Sequence, residues 1–132
     1  MIDFQSFELP TSPNSYYVAP AKFSQAVPNQ ISPTYNMDVA SLLEFWQAML
    51  TQQPRVTLLA KSEYQYSYVQ RTKWLRFPDY IDVRFIAISD EQSTIAIFSR
   101  SKYGYSDLGV NKKRVTLWLD SLANEIKEKN KD

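Results

Sequence analysis

Three features of this 132-residue chain predict an α+β fold. Two stretches, one beginning at Asn36 and one near Val110, space their apolar residues at helical intervals. Between them the chain alternates apolar and polar residues with a period of two. The connections within that middle region are too short for parallel crossovers, which need about a dozen residues or more. The expectation is an antiparallel sheet of about four strands in the order α-β-β-β-β-α, with both helices on one face and a proline-rich strap ahead of them.

Residues 1–35 hold five of the seven prolines, which remove amide donors and disfavour helix at each preceding residue. Phe4, Phe7, Tyr16, Tyr17, Val18, Phe23 and Ile31 punctuate this segment and require cover, so it is predicted to lie as an extended strap against the domain. The domain proper is predicted over 36–127. Asn36 or Asp38 caps a first helix whose stripe is Val39, Leu42, Leu43, Trp46, Met49 and Leu50, and Pro54 ends it. Strands are predicted over 55–60, 64–72, 80–88 and 94–101. In the second of these Tyr64, Tyr66 and Tyr68 share a face that should turn inward. The last helix runs to Lys127 on Val115, Trp118, Leu119, Leu122 and Ile126, and the polar tail 128–132 is expected to fray.

Composition narrows the chemistry. There is no Cys and no His, which excludes a Cys/His zinc site, a thiol nucleophile, a disulfide and imidazole acid/base catalysis; no metal or cofactor is expected. The formal net charge of +1 argues against a dedicated nucleic-acid binder. No secretory leader pattern and no apolar run of membrane-spanning length is present, so a cytoplasmic protein without membrane insertion is expected.

The unusual residues gather at 99–114, the junction of the last strand and the last helix. Both glycines of the chain, Gly104 and Gly109, lie there, which marks a sharp backbone geometry. Arg100, Lys102, Lys112, Lys113 and Arg114 face the single acid Asp107. Cations are unfavourable in a first helical turn unless a negative group joins them, and a helix start favours anions. Ser99, Arg100, Ser101, Lys102, Asn111 and Arg114 are therefore candidate anion ligands. The competing reading makes the corner structural: Asp107 caps the helix and pairs with Arg100 or Arg114, and Asn111 ties the loop down.

Other constellations are weaker. Ser101 and Lys102 are adjacent on a strand and point to opposite faces, so they do not form a nucleophile pair. Asp79 and Asp82 differ by three positions and project oppositely, which disfavours a carboxylate cluster with Asp107. Tyr64, Tyr66 and Tyr68, with Trp74, Tyr103 and Tyr105, suit either a core or an amphipathic pocket.

The run from Ser99 to Arg114 is similar to the pattern S-x-S-R-x-G-x-S-D-x-G-x-N-x-x-R of the family known as domain of unknown function 1499. Gln53-Pro54-Arg55, the segment from Phe77 to Val83, Asn14 and Ile31-Ser32-Pro33 also resemble that family's landmarks. Lys102 stands where the family often has arginine, and the strap lacks the cysteines that many relatives carry there. The resemblance implies no particular reaction. It singles out Gly104, Asp107, Gly109, Asn111 and Arg114.

These features lead to a non-catalytic binding module for an anionic or amphipathic small molecule, or an acidic partner, at the 99–114 corner. One alternative is an enzyme using Asp107 with Arg100 or Arg114 on a phosphorylated or carboxylated substrate. Another is an interaction module docking through the aromatic strap.

Overall fold

The computed structural model describes residues 1–130. Its eight elements are β1 (Ser15–Ala19), β2 (Gln30–Ile31), α1 (Val39–Leu50), β3 (Val56–Lys61), β4 (Gln65–Arg71), β5 (Pro78–Ala87), β6 (Ser93–Ser101) and α2 (Val110–Lys129). From α1 onward the order is the predicted one. The sheet is larger than expected: six strands in the order β2-β1-β6-β5-β4-β3. It is also mixed, because β1 and β2 run parallel while every other neighbouring pair is antiparallel.

The expected strap is thus corrected in part to sheet. β1 pairs along β6, with Tyr16 opposite Ser99 and Val18 opposite Ile97. Its residues 17–19 are buried on both faces, so it carries no polar alternation to betray it.

Strand parity divides the core in two. Tyr66, Tyr68, Ile81, Val83, Phe85, Ile95 and Ile97 face the helices, where Leu42, Trp46 and Met49 of α1 meet Val115, Trp118 and Leu122 of α2. The Trp46 ring packs edge-on against Trp118 and Phe85, and its Nε1 donates to the Tyr68 hydroxyl at 3.1 Å. Burial pushes the Tyr68 hydroxyl up to about 12, so it stays protonated in this core. On the opposite face Tyr17, Ala19, Ala96 and Phe98 are covered by Phe4, Phe7, Leu9 and Phe23 from the N-terminal segment.

Asp38 caps α1, its carboxylate accepting from the Ser41 amide and hydroxyl. Helix α2 continues past the predicted end at Lys127 to Lys129, where its last-turn lysines complement the helix dipole. Of the tail expected to fray, 128 and 129 are therefore helical, and 131–132 lie outside the described residues.

Candidate functional site

The β6-to-α2 corner is built on opposite sides of one sheet. Ser99 and Ser101 point toward α2, and Arg100 between them points to the other face, as the period of a strand requires. Of the six residues predicted as one anion site, Ser99, Ser101, Asn111 and Arg114 meet on the helix side, while Arg100 lies on the other face and Lys102 stands exposed in the loop.

Arg114 and Asn111 form the centre of the helix-side half. Arg114 donates from Nη2 to Asp79 Oδ2 at 2.5 Å, from Nε to Gln70 Oε1 at 2.5 Å, and from Nη1 to Asn111 Oδ1 at 2.7 Å and Ser99 Oγ at 3.1 Å. Its side chain is 8% exposed and that of Asp79 is 7% exposed, so this is a buried, hydrogen-bonded ion pair. Asn111, completely buried, reaches Asp107 Oδ2, Ser101 Oγ and the Asn14 carbonyl through Nδ2. The Asn14 amide in turn donates to the Gly104 carbonyl, so the N-terminal segment holds the loop at its base.

Asp107 accepts from the backbone amides of Gly109 and Asn111, which anchors the start of α2. The expected pairing of Asp107 with Arg100 or Arg114 is replaced by two others: Arg114 with Asp79, and Arg100 with Asp82. Gly104 at φ 88° and Gly109 at φ 82° occupy the left-handed region that the sharp corner needs.

On the opposite face Arg100 Nη1 lies 2.5 Å from Asp82 Oδ2, and the Ser67 hydroxyl donates to the other oxygen of the same carboxylate. The guanidinium also sits 5.0 Å from the centre of the Phe98 ring. Arg100 thus lies across the sheet from Asp107, whereas Arg114, on the same side as Asp107 and linked to it through Asn111, is occupied by Asp79, Gln70, Ser99 and Asn111. Among the described residues no three carboxylates gather to hold a metal ion.

The tyrosine row is divided as well. Tyr66 and Tyr68 are buried in the helix-face core, whereas Trp74, Tyr103 and Tyr105 are exposed at the far end of the sheet. There the β4–β5 loop and the β6–α2 loop lie side by side, joined by an edge-on contact between Phe77 and Tyr103 at 6.1 Å. A small cleft of about 140 Å3 runs between them, with Asp79 and Asp107 among its walls. Asp79 is matched by Arg114, but Asp107 pairs with no cation among the described residues and disfavours an anion inside the cleft.

Around this cleft the surface is apolar and cationic. Trp74 is 82% exposed, Tyr105 75% and Leu108 87%. Lys73, Arg76, Lys102, Lys112 and Lys113 accompany them, none within ion-pair distance of a carboxylate among the described residues. Lys73 and Lys102 instead lie over the rings of Trp74 and Tyr103. Sequence reasoning missed Asp79, Gln70 and Asn14 as partners of the corner. It also overlooked residues 72–77 as a neighbour of 103–110. Paired register brings both sets in: Asp79 lies opposite Ser101 on β6 and opposite Gln70 on β4.

The aromatic strap is mostly consumed in packing. Phe4 and Tyr17 are fully buried, and Phe7 and Phe23 pack against the same cluster. The exposed patch that an interaction module requires lies at the loop end instead.

Fold and site together define a compact class: an α+β domain with two helices on a six-stranded mixed sheet, its sheet-to-helix corner locked by a buried Asp-Arg-Asn network. The chain belongs to the family described as protein of unknown function (DUF1499), whose model matches residues 7–122. No curated protein and no solved structure matches it.

Proposed function

We propose that this domain is a non-catalytic binding module whose loop end, formed by residues 72–77 and 102–113, engages an anionic, amphipathic ligand. The observation that carries the reading is the set of five cations that have no carboxylate partner among the described residues, standing among exposed aromatic and aliphatic side chains. Arg100 and Arg114, already matched by buried carboxylates, act as scaffold in this reading, and Lys102, Lys112 and Lys113 meet the negative charge.

The reading is tested by titrating the protein with octyl phosphate, octyl glucoside and inorganic phosphate while following tryptophan emission. Octyl phosphate is expected to bind more tightly than either control, because it alone offers both charge and apolar chain, and its binding is expected to weaken with added salt. An unchanged affinity in the Lys112→Glu/Lys113→Glu variant would overturn the assignment to this end of the molecule.

A further inference from the structure

Building on that reading, we infer that the loop end docks on the surface of an anionic lipid bilayer. The exposed apolar groups are carried on the tips of two adjacent loops, Trp74 and Leu75 on one and Tyr105 and Leu108 on the other. The cleft between the loops is small, about 140 Å3, and Asp107 in its wall pairs with no cation among the described residues, so it does not suit an inserted anionic chain. Projecting apolar tips suit a soft surface that receives them.

The chemistry of the tips matches a membrane interface. Trp and Tyr favour the headgroup level, where an amphipathic ring has one end apolar and one wet. Lys73, Arg76, Lys102, Lys112 and Lys113 complement negative headgroups, each worth a substantial increment near the surface. The outer face of α2 extends the same surface: Leu117 is exposed beside Lys112 and Lys113, with Asp120 at its border. Leu108 adds an independent sign. It holds a left-handed backbone, φ 53°, that a leucine rarely adopts, and it presents its side chain to water. Strain of this kind concentrates where a surface is kept for binding. The Arg114-Asn111 network anchors the loop base, so the tips are presented from a rigid frame.

The experiment is sedimentation with vesicles of phosphatidylcholine alone or containing about a third phosphatidylglycerol, with emission spectra recorded in parallel. Trp46 and Trp118 are buried and Trp74 is exposed, so insertion of the tip shifts emission to shorter wavelength through Trp74 alone. Binding is expected to the anionic vesicles only. Lys112→Ala/Lys113→Ala is expected to reduce it about 20-fold or more, at roughly fivefold per lysine. Trp74→Ala/Leu108→Ser, at surface positions whose loss leaves the core intact, should abolish the spectral shift and weaken sedimentation.

Anionic-vesicle binding of equal strength in both variants would overturn the inference. So would failure to bind vesicles while octyl phosphate or polyglutamate still binds, a result that leaves the binding-module reading standing and points to a soluble ligand or acidic protein. Failure to bind vesicles, octyl phosphate and polyglutamate alike removes both.

Discussion

Arg114 shows how a single side chain decides whether the corner is a site or a brace. Buried with Asp79 and bonded to Gln70, Ser99 and Asn111, it satisfies four partners. Arg114→Met strands the Asp79 carboxylate and is expected to cost about 3–5 kcal/mol in a urea titration. Adding Asp79→Asn should recover part of that loss, because the uncompensated charge goes with it. A gentler case is Asp38, whose carboxyl the Ser41 hydroxyl holds below its ordinary value. Depression in the folded state means its stabilisation is present above the unfolded pKa, near 3.8, and is lost as pH falls through the folded value. The stability gap between wild type and Asp38→Ala should therefore be level near neutrality and narrow in acid. Sequence reasoning found Arg114, Asn111 and Ser99 as a group from the density of polar residues around two glycines. It weighed Asp79 only with Asp82 and Asp107 and did not assign Asp79 or Gln70 to Arg114, because their proximity depends on a cross-strand register that no local pattern encodes.

At the level of elements, the helices and four of the strands were legible because each keeps a clean period over several residues. β1 and β2 were not: one is buried on both faces between prolines, and the other is two residues long. The grouping of Arg100 with Ser99 and Ser101 failed for a reason that was available, since the alternation used to separate Ser101 from Lys102 also separates Arg100 from both serines. The corner that follows carries a cost at Leu108. Leu108→Gly removes the left-handed penalty and is expected to stabilise the domain by about 1 kcal/mol, measured by urea unfolding. The same change deletes an exposed apolar tip, so vesicle affinity should fall as stability rises.

Across the whole molecule, three layers lie in sequence: helices, sheet, and the N-terminal cover. The cover is part of the fold, with Phe4 as inaccessible as Trp46 in the main core. Removing residues 1–9 uncovers Phe98 and Tyr17 and takes away the Ile2 carbonyl that accepts from Gln65. The truncated protein is expected to lose at least ~3 kcal/mol of stability and to bind a hydrophobic dye in proportion to the bared face. The prolines suggested an extended strap, and the aromatic residues within it, more than the prolines, state what it does.

The two margins of the sheet carry one last implication. On one side β2 offers only two residues before Pro33 stops the ladder, and on the other β3 is broken by a register shift between Leu58 and Ala60. Neither rim presents a long regular row of amides and carbonyls for a second chain to extend, so growth by strand addition is disfavoured at both flanks. Copies brought close together on one surface would find little ladder to extend at either margin.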